Sequence, residues 1–332
     1  MNTKSLVLGL FGAGAALVLA GCEAQVGDGY RGEVLLSLQG SVVLNGQSAA
    51  DQVPVLAFLR SSGFALLDAH VEGEFPSRFR MEIFEAPPES ALLDPTTGTA
   101  TGFLTVVPKD HPKEIPGVAA SGLGSCNPDE TICTNHLDIC STTGICMQRD
   151  LTCNQEECPV VGDTEIPPDE LASGARFSGY GEAGDTHSLT VEVVCDAAQL
   201  CHRVFRKCGP PNAYTPLAEF GHQQTCDVVS ESGDARIKLY ESVLQSAVGY
   251  DIVYAPAAVA TSVYGPIPAG YSLFRTVEPD SDQAWIDSLD CKFDRLLDAT
   301  DTTTCPPGVH KELVSPDEEL TLRLGYRNDP SH

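Results

Sequence analysis

Twelve of the thirteen cysteines in this 332-residue chain lie between residues 126 and 305. Six of them, from Cys126 to Cys158, follow one another with only four to six residues between neighbours, in a stretch too polar to bury a hydrophobic core of its own. An even number of cysteines in an exported protein predicts a disulfide framework, here of six bridges whose pairing the spacing leaves open. The twelve are Cys126, Cys133, Cys140, Cys146, Cys153, Cys158, Cys195, Cys201, Cys208, Cys226, Cys291 and Cys305.

The thirteenth cysteine, Cys22, has the surroundings of a lipid-attachment site. Residues 19–22 read Leu-Ala-Gly-Cys and follow a basic Lys4 and an apolar, small-residue run over residues 5–18. That run is too short to predict a transmembrane helix. The segment resembles the signal peptides of bacterial lipoproteins, and the resemblance implies cleavage after Gly21 and a lipid on the Cys22 sulfur. An ordinary signal peptide with an incidental cysteine is the alternative.

The charge of the chain excludes one class of partner. Removal of residues 1–21 would leave 19 basic against 46 acidic residues, a net charge of -27. Because nucleic-acid affinity depends on Lys and Arg that neutralise phosphates, we expect no nucleic-acid partner. An anionic membrane repels such a body only within a Debye length of about 8–10 Å. Residues 23–29 could hold the body up to roughly 25 Å away, so we expect membrane association through Cys22.

Cys195, Cys201, His202 and Cys208 are residue types that bind metals. Their spacings lack the tight CxxC knuckle of a zinc site. Oxidised cysteines cannot act as thiolate ligands, so we interpret these cysteines as disulfide partners and expect no metal.

Residues 179–184 match the dinucleotide-binding pattern GxGxxG through Gly179, Gly181 and Gly184. That pattern binds a pyrophosphate only between a strand and a following helix. Here a β-like run follows, so we predict a turn and no nucleotide cofactor.

Calcium requires several oxygen ligands in one short loop, and the DxDxDG spacing is absent. The nearest groups are interpreted as solvated acidic surface; they are Asp280, Asp282, Asp129, Glu130, Glu156 and Glu157.

Catalytic motifs are also absent. The chain contains neither a GxSxG nucleophile turn nor an HExxH zinc helix, and its eight histidines are scattered. We therefore expect no enzymatic activity and no cofactor, although a triad assembled only by folding would escape this test.

Short β-rich runs separated by turns predict a mainly β fold. Residues 78–85 are the clearest, because Phe79, Met81 and Ile83 alternate with polar neighbours. One helix is predicted over residues 280–298, capped by Asp280 and containing Cys291, which is near enough to Cys305 for a local bridge. Residues 235–248 fit either a helix or a strand, and we favour a helix. Further strands are predicted over residues 33–45, 53–60, 64–72, 99–107, 187–195, 249–255, 270–277 and 318–326.

This order predicts a β-sandwich with a disulfide-rich, loop-rich insert and one or two short helices. The predicted parts are a signal peptide (1–21), a lipidated tether (22–29), the first part of the sandwich (30–107), an acidic cysteine-rich insert (108–230) and the second part of the sandwich (231–332). Residues 108–125 read as a linker or long loop. Two consecutive domains are the alternative.

Several short motifs are similar to uncharacterised lipoproteins common in myxobacteria. They begin at Tyr30 (YRGE), Phe75 (FPSRFR), Phe84 (FEAPP), Gly249 (GYDIVYAP) and Gly270 (GYSLF). The resemblance implies an envelope location, most simply the outer membrane, without an activity. Residues 40–42 followed by 55–59 also resemble carboxypeptidase-regulatory-like and transthyretin-like sandwiches, which implies an accessory or binding module.

Together these features predict a non-enzymatic cell-envelope lipoprotein that serves as a structural or binding module. An unidentified protein or glycan is the expected partner. A periplasmic or surface hydrolase that acts on a polymer is the alternative.

Overall fold

A computed structural model describes residues 32–44, 52–61, 63–72, 78–91, 97–126, 132–168, 179–198, 200–209, 221–237, 240, 243, 249–298 and 300–324. Most of these residues form β-strands, so the mainly β fold is confirmed. The strands are, in chain order, β1 (Leu36–Leu44), β2 (Gln52–Arg60), β3 (Gly63–Leu67), β4 (His70–Glu72), β5 (Arg78–Ile83), β6 (Ala100–Pro108), β7 (Glu114–Pro116), β8 (Val118–Cys126), β9 (Ile132–Ser141), β10 (Cys146–Glu157), β11 (Val160–Glu165), β12 (Gly179–Ala183), β13 (Ser188–Cys195), β14 (Cys201–Cys208), β15 (His222–Gly233), β16 (Tyr250–Ala255), β17 (Gly270–Val277), β18 (His310–Leu313) and β19 (Glu319–Leu324).

Two sheets face each other and form the sandwich. The outer sheet has the strand order β19-β1-β5-β4, and the central sheet has the order β18-β17-β16-β6-β2-β3-β7. Phe79, Met81 and Ile83 on β5 are all buried, as their alternation predicts, and they pack with Phe58 and Leu104 of the central sheet. Burial of this apolar face is what holds the two sheets together.

Strands from both ends of the chain share these two sheets. β1 pairs in parallel with β19, and β6 pairs with β16. The strands between β7 and β16 form two further sheets of four strands each.

The third sheet, called here the cysteine sheet, has the order β15-β10-β9-β8. Ile139 and Met147 on its inner face pack against the second face of the central sheet, so the central sheet is covered on both sides. Ile237, Tyr240 and Val243 join the same cluster. Their backbone is helical, which supports the helix favoured for residues 235–248, most of which lie outside the described residues.

The fourth sheet, called here the helix sheet, has the order β11-β14-β13-β12 and packs against a helix, Asp282–Leu297. Trp285, Leu289 and Phe293 fill this contact, as their predicted helical spacing requires. The predicted cap was wrong by one residue. Ser281 has an extended backbone, and its side chain accepts a hydrogen bond from the Ala284 amide, so it caps the helix in place of Asp280.

Other boundaries also differ from the prediction. Residues 64–72 form two strands, β3 and β4, which belong to different sheets because the chain crosses the sandwich at Asp68 and Ala69. Residues 108–125 contain β7 and β8 and are not simply a linker, and the cysteine-rich stretches form β9, β10, β14 and β15. Pairing with neighbouring strands outweighs the low strand propensity of small and polar residues.

Candidate functional site

The outward face of the outer sheet carries a shallow depression with a volume of about 350 Å³. Four polar side chains lie in one row across its four strands: Glu319, Gln39, Arg80 and Glu72 are direct neighbours from β19 through β1 and β5 to β4. Because directly opposite residues share a face of a sheet, these groups point to the same side. The residues that line the depression are Gln39, Gly40, Glu72, Arg78, Phe79, Arg80 and Glu319.

A single glycine lets the row form. A Cβ atom on Gly40 would lie 2.3 Å from the Leu320 carbonyl oxygen, closer than any real contact. Gly40 therefore allows β19 to approach β1 and to bring Glu319 beside Gln39.

The guanidinium groups of the depression are well exposed. The Arg78 side chain is 80% exposed and lies 4.0 Å from Glu319, and the Arg80 side chain is 60% exposed and lies 3.1 Å from Glu82. Exposed pairs of this kind contribute little to stability, about 0–1 kcal/mol. Two arginines and two glutamates line the depression, so its formal charge is zero, although the whole chain has a net charge of -26.

This arrangement suits a ligand rich in hydroxyl groups. Guanidinium and amide groups donate hydrogen bonds, carboxylates accept them, and a hydroxyl does both. The described lining offers no exposed aromatic or aliphatic side chain, since Phe79 is 3% exposed and packs inward. An apolar ligand would find no matching surface here.

This site was not predicted from the sequence. The only signal was that Arg78, Arg80 and Glu82 alternate with the buried residues of β5. Glu319, Gln39 and Glu72 come from distant parts of the chain, so their alignment depends on strand order and register.

Ten of the predicted disulfide cysteines form recorded bridges within the described residues. Cys133 is also disulfide-bonded, and the backbone of Cys126 lies opposite it in the register of β8 and β9. Cys22 lies outside the described residues. The bridges are Cys140–Cys146, Cys153–Cys226, Cys158–Cys208, Cys195–Cys201 and Cys291–Cys305.

The residues first considered as metal ligands are engaged elsewhere. Cys195, Cys201 and Cys208 are in disulfides, and His202 Nδ1 lies 2.7 Å from Asp163 Oδ1. Asp282 pairs with Lys207 at 2.6 Å. Among the described residues, no group of three or more His, Cys, Asp or Glu side chains is arranged to hold a metal ion.

The acidic residues considered for calcium are dispersed. Asp280 is exposed, Glu156 is exposed on β10, and Glu157 lies 2.5 Å from Arg206. Asp129 and Glu130 lie outside the described residues.

The GxGxxG pattern lies in a β-hairpin. Gly179 and Gly181 belong to β12, Gly184 begins the turn, and β13 follows where a nucleotide site would need a helix. A Cβ atom on Gly184 would meet the Glu278 carboxylate at 2.2 Å, so this glycine allows close packing. The predicted turn was therefore wrong for Gly179 and Gly181, which lie in β12, and it is present only from Gly184.

Two clusters bring a histidine, a carboxylate and a hydroxyl together. Ser230 donates to Asp150 at 2.5 Å while His136 Nδ1 contacts the other oxygen of the same carboxylate at 2.7 Å. This hydrogen bond raises the pKa of His136 and lowers the pKa of Asp150. The carboxylate, and not the imidazole, holds the hydroxyl, so the order needed to activate a nucleophile is absent from this cluster.

The second cluster, at the β12–β13 turn, also lacks the order of groups that would activate a nucleophile. Thr186 donates its hydroxyl proton to Glu278 at 2.6 Å, so His187 Nδ1, 2.8 Å from the same hydroxyl, must donate to it and cannot act as its base. Glu278 also accepts from the Thr186 amide at 2.7 Å, which identifies it as a clamp on this turn.

Ser288 and Lys292 lie one turn apart on the helix, where a lysine could act as the base for a serine hydroxyl. Here Ser288 is fully buried and donates to the Pro306 carbonyl at 3.0 Å, while Lys292 pairs with Glu182. Ser288 therefore holds the segment that follows the helix, Lys292 holds β12, and neither provides an accessible nucleophile.

No family model matches this chain, and neither a curated protein nor a solved structure is similar to it. None of the helices in the described part of the chain is long and apolar enough to span a bilayer.

Proposed function

We propose that this protein is a non-enzymatic cell-envelope lipoprotein that is held on the outer membrane through Cys22 and binds a glycan. The observation that carries the binding role is the polar row Glu319–Gln39–Arg80–Glu72 across the outer sheet, which together with Arg78 lines a charge-balanced depression. The lipid on Cys22 rests on the sequence of residues 19–22.

Rigidity supports a binding role for this face. The row is built on strands whose opposite faces are buried in the sandwich core, so the backbone that positions these side chains loses little further freedom when a ligand binds. The depression is open, which suits a section of a polymer chain better than a small enclosed ligand.

The hydrogen-bonding chemistry selects the ligand class. Vicinal hydroxyl groups can span one guanidinium or one carboxylate in a bidentate manner. A strongly anionic polymer would meet the carboxylates of Glu72 and Glu319, and a strongly cationic polymer would meet Arg78 and Arg80. A neutral or charge-balanced glycan meets neither penalty.

The binding test uses the Cys22→Ala protein, purified without detergent, and two probes: peptidoglycan sacculi and immobilised outer-membrane polysaccharide. We expect co-sedimentation with one of them. The double variant Arg78→Gln/Arg80→Gln should bind about 10- to 100-fold more weakly, since hydrogen bonds to charged groups contribute about 1.5–3 kcal/mol. Arg236→Gln is the matched control, because Arg236 is also exposed but pairs with Asp234 away from the depression. Equal loss in both variants, or no binding to either probe, would contradict the proposed site.

The anchoring test is separate. Cys22→Ala should move the protein from the membrane fraction to the soluble fraction, and Cys291→Ala should leave it with the membrane. Continued sedimentation of the Cys22→Ala protein with membranes would refute lipid attachment at that residue.

A further inference from the structure

Three cysteines lie in one row across the cysteine sheet. Cys153 on β10 is directly opposite Cys226 on β15 and directly opposite Cys133 on β9. Cys153 is bonded to Cys226, and Cys133 belongs to another disulfide. Two disulfides therefore meet side by side, and Cys153 is directly opposite another cysteine on each of its two neighbouring strands.

The two inner cysteines are shielded from solvent. Cys153 is 0% exposed and Cys133 is 2% exposed, and they form a small apolar cluster with Leu151. Cys226 is only partly buried and lies on an edge strand of the sheet. A thiol that approaches from solvent therefore reaches the Cys226 sulfur first.

Asn135 assists the departure of the Cys153 sulfur. Its side-chain amide donates to Cys153 Sγ at 3.4 Å. A hydrogen bond to sulfur stabilises the thiolate that forms when the bridge opens, and exchange is faster when the leaving thiol has a lower pKa.

We propose that Cys153–Cys226 is a site of thiol–disulfide exchange with a dithiol protein, and that Cys153 passes the exchange on to Cys133. In the first step a thiolate of the partner attacks Cys226 Sγ, a mixed disulfide forms, and Cys153 leaves as the thiolate. In the second step Cys153 attacks Cys133 Sγ, a Cys133–Cys153 bond forms, and the former partner of Cys133 leaves as a thiolate. The second thiol of the dithiol partner then releases Cys226, so that the partner is oxidised to a disulfide and two thiols appear in this chain.

Cys140–Cys146 is a matched comparison in the same sheet. Cys140 and Cys146 are also directly opposite each other, but on its other side Cys140 faces Ala119. This bridge can be opened by a dithiol, but it has no neighbouring cysteine to which the exchange could pass.

The first test removes Cys226. In Cys226→Ser, we expect most molecules to contain a Cys133–Cys153 bridge and one newly released thiol, both located by alkylation and peptide mass spectrometry. In Cys146→Ser, Cys140 should stay a thiol and every other bridge should be unchanged. An unpaired thiol at Cys153 in folded Cys226→Ser protein would overturn the proposal.

The second test uses the unaltered full chain and a limiting amount of dithiothreitol, so it does not depend on the folding of a cysteine variant. Acid quenching and alkylation should detect the Cys133–Cys153 bridge among the products. Its absence when Cys153–Cys226 has opened would also overturn the proposal.

The role of Asn135 is to position and stabilise the Cys153 sulfur. Asn135→Ala should slow the opening of Cys153–Cys226 by about threefold, and should shift the pH profile of Cys133–Cys153 formation to higher pH. The opening rate of Cys140–Cys146 in the same molecules should not change. An unshifted pH profile would show that Asn135 is merely structural.

Discussion

The sandwich and the cysteine sheet are both built from antiparallel strands, but different interactions hold them. The cluster between the outer and central sheets consists of large apolar residues such as Phe58, Met81 and Leu104, all fully buried, and contains no cysteine. In the cysteine sheet the separate cluster around Leu151 contains Cys133 and Cys153 instead. Every disulfide recorded in the described residues lies outside the outer and central sheets. Where the sequence supplies few apolar side chains, cross-links replace hydrophobic burial.

Reduction of all disulfides should produce the largest difference between the sandwich and the cysteine sheet. We expect the cysteine sheet to lose its protection against hydrogen exchange in denaturant-free reducing buffer, because the small cluster around Leu151 is built on disulfide-bonded cysteines. β2, β6 and β16 should stay protected, since their apolar contact with the outer sheet contains no cysteine and does not depend on a cross-link. Hydrogen exchange followed by mass spectrometry measures both regions at once, and equal loss in both would abolish the distinction.

Removal of an aromatic side chain from the sandwich core should destabilise the protein even when every disulfide is intact. Phe58→Ala is expected to lower the free energy of unfolding by about 3–5 kcal/mol, as is usual for a fully buried Phe. Val263→Ala, at a side chain that is 91% exposed, is the control and should change stability by less than about 0.5 kcal/mol. Denaturant titration under oxidising conditions measures both variants. A small effect for Phe58→Ala would mean that the disulfides also hold the sandwich.

The disulfides should differ in how much they stabilise the protein, according to the length of the loop that each one closes. Cys158–Cys208 spans 50 residues and Cys140–Cys146 spans 6. Loop entropy predicts losses of about 4 kcal/mol and about 2 kcal/mol when each pair is replaced by Ala. The two double variants can be compared by thermal unfolding at one protein concentration. A reversed order would show that residual structure or native strain, and not loop length, controls these bridges.

The free energy of unfolding should depend weakly on pH through a carboxyl group at the boundary between the sandwich and the helix sheet. Burial raises the pKa of Asp185, and Lys311 opposes this shift. A raised pKa in the folded state means that the unfolded chain loses this proton first as pH increases. The carboxyl therefore costs stability above its ordinary pKa of 3.8, and the cost is complete once pH exceeds the folded-state value.

Asp185→Asn should accordingly stabilise the protein at pH 7 and have little effect below pH 3.8. Asp234→Asn provides the opposite case, because hydrogen bonds from Arg236 lower the pKa of Asp234 to about 2. That variant should lose stability at pH 7, and the difference from the unaltered protein should disappear as pH falls through 3.8 towards 2. Urea titrations at pH 7 and pH 3 measure both signs, and identical signs would contradict the assignment.

The amount of structure that the sequence predicts differs between the two regions. In the sandwich, the alternation of Phe79, Met81 and Ile83 was sufficient to identify β5 and its buried face, because each apolar side chain reports directly on the core. In the cysteine-rich region the same criterion missed β8, β14 and β15. Their polar residues are held in strands by pairing with neighbours, a non-local interaction that hydrophobic periodicity does not record.

The candidate sites were less predictable than the fold. The row from Glu319 to Glu72 requires β1 to pair with β19 in parallel and with β5 in antiparallel register. The adjacency of Cys133, Cys153 and Cys226 likewise requires the strand order β15-β10-β9. A shift of one residue in the register of either sheet would turn some of these side chains to the opposite face and disrupt the site on that sheet.

The sequence by itself determined the β class, the apolar faces of the sandwich strands and the helix that carries Trp285, because these follow from local spacing of apolar side chains. It also determined which residues could form disulfides, through their number and type. Only the tertiary structure decided which cysteines are neighbours and which charged groups share a face. Those relations depend on register between strands far apart in the chain, and register is set by the packing of the whole domain.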